Sequence, residues 1–121
     1  MIRFLFALIF VSTFASAAQA ATASCSGKFR NLNLFFKAQG SIAHKNDGTG
    51  FVKINNRVVA QFDGDAANIN YLTQSFRIRN NRGDVVEGKL HNLSGAATLT
   101  RLELPGEGIR IYNTPVRCSV N

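Results

Sequence analysis

Two cysteines, Cys25 and Cys118, carry the most readily assigned chemistry in this chain of 121 residues. In an oxidising compartment an even number of cysteines indicates a disulfide, and two cysteines allow a single pairing. Their wide separation excludes a Cys-x-x-Cys redox motif, and together with two scattered histidines they do not form a zinc motif. We therefore predict a structural disulfide that ties the ends of the folded domain together, and no metal or cofactor.

The candidate general bases are His44 and His91, and neither belongs to a catalytic motif. The sequence contains neither a Gly-x-Ser-x-Gly elbow nor a His-Glu-x-x-His metal helix. Most of the seven carboxylates fall in or beside predicted turns, where aspartate stabilises the backbone. We therefore predict a non-enzymatic protein and assign no catalytic residue.

The excess of basic residues is the main functional signal in the sequence. The formal net charge is +7, and it falls to +6 if a leader containing Arg3 is removed. Several cations alternate along predicted strands, so that they would share an outward face. The candidate anion-binding residues are Lys28, Arg30, Arg77, Arg79, Arg101, Arg110 and Arg117. Such a surface would attract an anionic envelope surface, a polysaccharide or nucleic acid, with strong salt dependence.

Three other interpretations of the same composition remain open. Of the ten phenylalanines, the six that follow the leader could, together with Ile, Leu and Val, line a barrel that binds an apolar small molecule. The chain could instead be a secreted inhibitor of another protein. The positive charge could also be a dispersed surface that only maintains solubility.

The N-terminal segment has the features of a secretory signal peptide. Arg3 provides a positive start, residues 4–11 are an unbroken apolar run, and Ala18-Gln19-Ala20 offers a small-residue cleavage site. The run is shorter than the roughly 20 residues that span a bilayer. We predict a signal peptide over residues 1–20 and a single all-β domain over residues 21–121. The mature chain would have no transmembrane segment and would be periplasmic or extracellular.

A lipoprotein is the alternative form of export. Thr22-Ala23-Ser24-Cys25 resembles a lipobox, and lipidation would consume the Cys25 sulfur and leave Cys118 free. However, Thr22 stands where an aliphatic residue is expected, and about ten small and polar residues separate the apolar run from the cysteine. We therefore favour the disulfide.

These residues must be positioned by strands, since short apolar alternations separated by Gly, Asn and Asp recur along the chain. We expect about seven or eight antiparallel strands in a meander, forming a small closed or partly closed β-barrel or, alternatively, a two-sheet sandwich. A bond between the first and last strands would favour closure. The predicted strands include residues 28–38, a hairpin turning at Asn55-Asn56 and ending at residues 63–65, and then residues 68–79, 85–93, 97–104 and 109–118.

Overall fold

The computed structural model describes residues 20–41, 47–92 and 94–121, and their secondary structure is almost entirely β. The eight strands are β1 (Ala20–Phe29), β2 (Leu32–Ser41), β3 (Gly48–Ile54), β4 (Arg57–Asn70), β5 (Ser75–Arg79), β6 (Val85–Leu90), β7 (Ala96–Leu104) and β8 (Ile109–Val120). A single 3-10 turn at Pro105–Glu107 joins β7 to β8. No helix within the described ranges has the length and apolar character needed to cross a bilayer. The predicted signal peptide, apart from Ala20, lies outside the described residues.

The strands form a closed barrel. Each strand pairs antiparallel with the next, and β8 returns to pair with β1. The predicted all-β antiparallel meander with a closed barrel is therefore confirmed, and the alternative two-sheet sandwich is not the fold adopted. Closure leaves no strand at a sheet edge, which removes the usual route to edge-to-edge aggregation.

The interior of the barrel is filled by apolar side chains that alternate with outward polar ones. Phe36 and Phe76 stack across it with ring centroids 5.3 Å apart. Fully buried aliphatic side chains surround them, among them Val52, Ile69, Ile78, Val86, Leu102, Leu104 and Ile111. The interior cavity bordered by Leu34 and Leu102 measures about 10 Å³. That volume admits about one water molecule, whereas small-molecule sites measure roughly 300 to 1,000 Å³.

The barrel is closed by the predicted disulfide between Cys25 on β1 and Cys118 on β8. Thr22 and Asn121 exchange both of their backbone hydrogen bonds at 2.9 Å, so the antiparallel alternation places the two cysteines in a non-hydrogen-bonded pair. Such pairs have the closer backbones, and here the Cα atoms are 4.1 Å apart. The bond occupies the Cys25 sulfur that lipidation would require, and lipoprotein processing would also remove the part of β1 that precedes Cys25.

Two local predictions about turns are correct. Asn55 and Asn56 adopt positive φ angles of 51° and 69°, as a two-residue hairpin requires. The side chain of Asn55 also accepts a hydrogen bond from the Asn33 backbone N–H at 2.9 Å. In the turn before β6, the Asn80 side-chain oxygen accepts hydrogen bonds from the backbone N–H groups of Arg82 and Asp84.

Three predicted boundaries are wrong. The chain turns at Arg30 and Asn31, so residues 28–38 are not one strand, and Lys28 and Arg30 do not share a strand face. Residues 63–65 do not end a strand, because Gly64 forms a bulge with φ 69° and β4 continues to Asn70. The predicted strand over residues 68–79 is interrupted by a turn at 71–74.

We predict that reducing the disulfide lowers the free energy of unfolding substantially. The bond closes a loop with a sequence separation of 93 residues, for which the chain-entropy estimate is about 4.5 kcal/mol. Urea unfolding of the oxidised and reduced protein measures the difference, with the double variant Cys25→Ala/Cys118→Ala as a control that reductant should not affect. Equal midpoints for the oxidised and reduced protein would contradict a stabilising role.

A second prediction concerns the close contact between Gly88 and the Phe76 ring. A Cβ atom at Gly88 would lie 2.3 Å from Phe76 Cζ, so the ring must shift and disturb its stacking on Phe36. Gly88→Ala should destabilise the barrel by about 1 to 3 kcal/mol, as overpacking does. Gly106→Ala is the matched control, because nothing lies within 4 Å of its Cβ position. Comparable unfolding midpoints for the two variants would show that the contact is not tight.

Candidate anion-binding face

On the outer surface of β5, β6 and β7, two arginines form ion pairs with acidic neighbours. The register places Arg77, Glu87 and Arg101 side by side on these three strands. Arg77 Nε lies 3.0 Å from Glu87 Oε2, and Arg101 Nη1 lies 4.0 Å from the same oxygen. Arg101 Nη2 also donates to Glu103 Oε1 at 2.9 Å. Arg77 and Arg101, both predicted to bind anions, are therefore already engaged in ion pairs.

The same cluster shifts the pKa values of three groups. The hydrogen bond from Arg101 lowers the pKa of Glu103, and a second hydrogen bond, from the Tyr112 hydroxyl, lowers it further. Reciprocally, the hydrogen bond to Glu103 raises the pKa of Tyr112 and that of Arg101. The cluster keeps Glu103 ionised and Tyr112 neutral, so it behaves as a satisfied structural network on this side of the barrel.

The other predicted cations occupy different surroundings. Arg110 lies opposite Glu103 across the β7 and β8 ladder, and Arg79 is exposed between Ala66 and Val85. Arg30 is in the first turn, with its guanidinium 5.2 Å from the Phe29 ring centroid. The structure therefore does not gather the seven predicted cations into one stripe. Lys28 on β1 and Arg117 on β8 lie opposite uncharged residues in the ladders.

Half of the barrel contains cations and no acidic residue. Strands β8, β1, β2 and β3 are consecutive around the barrel, and none of these described strands contains Asp or Glu. Their outward cations are Lys28, Lys37, Lys53, Arg110 and Arg117. Because Arg110 faces Glu103, the cations without an acidic cross-strand neighbour are the other four. On β4, which borders β3 at the other side of this half, the acidic residues are Asp63 and Asp65, at the bulge opposite Thr49 and Gly48.

Two phenylalanines and two lysines alternate on β2 and β3, at one side of this acid-free half. Phe35 lies opposite Lys53, and Lys37 lies opposite Phe51, across the β2 and β3 ladder. The ring centroids of Phe35 and Phe51 are 5.9 Å apart, and Lys53 Nζ lies 5.5 Å from the Phe51 centroid. Phe35 is 37% exposed. We call these four residues the Phe/Lys checkerboard; it presents aromatic surface and positive charge together.

Lys37 and Lys53 were not among the candidate anion-binding residues predicted from the sequence, and neither was Phe51. The signal was present, since Phe35-x-Lys37 and Phe51-x-Lys53 are the same alternation on consecutive strands. Antiparallel pairing of two such segments in this register brings each lysine opposite a phenylalanine. The register could not be assigned from the sequence because β2 and β3 are separated by more residues than the two-residue turn that would fix it.

Surface depressions surround the checkerboard. A depression of about 570 Å³ runs along the β1 and β8 seam to Phe35. Another, of about 660 Å³, joins Phe35 and Lys53 to the Asn55-Asn56 turn. A third, of about 420 Å³, continues from Lys53 and Phe51 to Val58 on β4. Because neighbouring depressions share Phe35 or Lys53, the surface suits an extended ligand better than a compact one.

The remaining candidate base, His91, is exposed and forms a hydrogen bond between its Nε2 atom and Thr98 Oγ1 at 2.6 Å. It makes no ion pair with a carboxylate in the part of the chain that the structure describes. His44 lies outside that part. Within the described ranges, no three metal-ligating side chains come together.

We predict that Tyr112→Phe raises the pKa of Glu103, because it removes the second of the two hydrogen bonds that stabilise the carboxylate. The pKa should stay below its ordinary value, since Arg101 remains. Carbon-13 NMR titration of the carboxyl groups measures this change, and an unchanged Glu103 midpoint would contradict the network. Because the folded pKa is depressed, the stabilisation from Glu103 is present above the unfolded pKa and is lost as pH falls through the folded one.

Comparison of the chain with protein-family models, with curated proteins and with solved structures finds no match. The features that bear on function are therefore those of the chain itself. They are an apolar interior that is filled, ion pairs that engage Arg77 and Arg101 on β5, β6 and β7, and an outer face on β8, β1, β2 and β3 that has no acidic residue and includes the Phe/Lys checkerboard.

Proposed function

We propose that this chain is an exported, non-enzymatic protein that binds an anionic envelope component or macromolecule through the outer face of β8, β1, β2 and β3. The observation that carries the proposal is the Phe/Lys checkerboard on a half of the barrel without acidic residues. It differs from the sequence-based prediction in its location, since Arg77 and Arg101 lie elsewhere in ion pairs.

The segregation of charge supports binding of an anion. Lys37 and Lys53 have no carboxylate across the ladder on either side, so their field is not cancelled locally. Positive charges that are not paired with carboxylates concentrate anionic ligands near a surface and speed their association. On β5 to β7, in contrast, each of Glu87 and Glu103 neutralises an arginine.

The aromatic rings favour a ligand that makes apolar contacts with the protein in addition to ionic ones. Phe35 is exposed although a folded barrel gains free energy by burying such a ring. Exposed aromatic residues beside cations are typical of surfaces that bind extended anionic polymers. The filled interior does not favour the alternative of an apolar small molecule inside the barrel.

The test is retention of the oxidised protein, residues 21–121, on immobilised heparin, with elution by a sodium chloride gradient at pH 7. We predict salt-sensitive retention, because the attraction is electrostatic and is screened by added ions. The variant Lys37→Gln/Lys53→Gln should elute at clearly lower salt. Both side chains point away from the core, so its unfolding midpoint should change little.

The matched control is Arg77→Gln/Lys89→Gln, which removes two positive charges from the opposite half of the barrel. Its net charge equals that of the lysine variant, and it should elute later. Equal elution of the two variants would mean that only total charge matters, and the assignment to this face would fail. Absence of any retention of the unmodified protein would end the proposal altogether.

A further inference from the structure

The depression along the β1 and β8 seam differs in chemistry from the rest of the acid-free face. It measures about 570 Å³, and Arg117 is the one charged residue among its lining side chains. Four serines also line it: Ser24 and Ser26 on β1, Ser119 on β8, and Ser94 in the turn before β7. Phe35 forms its border with the Phe/Lys checkerboard. We call this depression the seam groove.

Arg117 is held in a fixed position in the seam groove. Its Nη2 atom donates a hydrogen bond to the Ser94 carbonyl oxygen at 2.7 Å. The guanidinium also lies against Gly95, where a Cβ atom would come within 3.2 Å of Nη2. Among the described residues Arg117 has no ion pair with a carboxylate. Ser94 is also the only hydrogen-bond partner of its side chain among the described residues. A guanidinium of this kind is suited to a carboxylate, which it binds with paired hydrogen bonds.

The serine hydroxyls add both hydrogen-bond donors and hydrogen-bond acceptors to the groove. A hydroxyl group both donates and accepts, so Ser24, Ser26 and Ser119 complement a ligand that itself carries hydroxyls. Ser24 and Ser119 face each other across the seam, and Ser26 lies opposite both Arg117 and Phe35. The groove therefore combines one cation, several hydroxyls and the edge of an exposed aromatic ring.

The register extends this combination into a line. Arg117, Ser26, Phe35 and Lys53 are successive cross-strand neighbours on β8, β1, β2 and β3. With strands about 4.8 Å apart, the Cα atoms of Arg117 and Lys53, at the two ends of this line, are separated by roughly 14 Å along the surface. The hydroxyl and the ring lie between them, so a ligand lying on this line would meet charge, hydroxyl, apolar surface and charge in turn.

We infer that the ligand is an acidic polysaccharide, with the carboxylate of one uronic acid residue bound to Arg117 in the seam groove. The sugar hydroxyls would bond to the serines, an apolar sugar face would cover Phe35, and a later carboxylate would lie near Lys53. This inference rests on the proposed function and specifies its ligand. Binding of short acidic oligosaccharides would depend on Arg117. It would require both the carboxylate charge and the sugar rings of the ligand.

Two other anionic macromolecules fit the groove less well. A nucleic acid strand presents phosphate oxygens that only accept hydrogen bonds, and it usually stacks on several aromatic residues, whereas the seam groove contributes Phe35 alone. An anionic lipid surface would favour exposed apolar side chains inserted beside the cations. The most exposed apolar residue in the described part of the chain, Leu72, lies in the turn between β4 and β5 and not on the strands of the Phe/Lys checkerboard. The exposed apolar side chains beside the lysines are Phe35 and the smaller Val58, which lies opposite Lys53.

The experiment is isothermal titration calorimetry of the oxidised protein, residues 21–121, with tetragalacturonate. Binding should be measurable, while neutral maltotetraose should not bind. Arg117→Gln should weaken tetragalacturonate binding about tenfold or more, in line with the loss of one charge-assisted contact. Arg117→Lys should restore part of the affinity, because it keeps the charge and loses the paired geometry.

Arg77→Gln is the matched control, since it removes the same charge from β5 and should leave the affinity unchanged. The inference is overturned if Arg117→Gln binds tetragalacturonate normally, or if a ten-nucleotide thymidylate strand or phosphatidylglycerol vesicles bind more tightly. Heparin retention that depends on Lys37 and Lys53 would then still stand, so the proposed function would survive. Loss of heparin retention as well would remove both.

Discussion

The disulfide between β1 and β8 is the constraint on which the rest of the structure depends. The ladder between these strands extends only from Thr22 and Asn121 to Ser26 and Arg117, so few backbone hydrogen bonds hold the first strand to the last. The disulfide lies within this short ladder, and it constrains the unfolded chain over nearly the whole described domain. In a domain of this size, several kcal/mol is a large part of the net stability.

Closure of the barrel also brings together the residues of the proposed binding face. Arg117 lies far from β1, β2 and β3 in sequence, and it joins their outer face only because β8 returns to β1. The resulting order of strands separates two kinds of surface. On β5, β6 and β7, Arg77 and Arg101 are engaged by Glu87 and Glu103, whereas on β8, β1, β2 and β3 the Phe/Lys checkerboard and the seam groove have no acidic side chain.

Much of the fold could be predicted from the sequence, because alternation and turn chemistry are local. Asn55-Asn56 specifies a hairpin directly, and the two cysteines identify the strands that close the barrel. The Arg30-Asn31 turn was missed because it contains no glycine, and Gly64 was mistaken for a strand end because bulges and turns use the same residue. The site was harder to predict. Which cations are neutralised, as Arg101 is, depends on the register between strands, and alternation along one strand does not determine it.

The central claim is that anionic polymers bind to the acid-free half of the barrel. It is tested most directly by NMR, with backbone amide shifts of the nitrogen-15-labelled oxidised protein followed during titration with heparin oligosaccharide. The account predicts that the largest changes fall on β1, β2, β3 and the end of β8, around Phe35, Lys53 and Arg117. Changes centred on β5, β6 and β7, or spread evenly over all exposed cations, would contradict it.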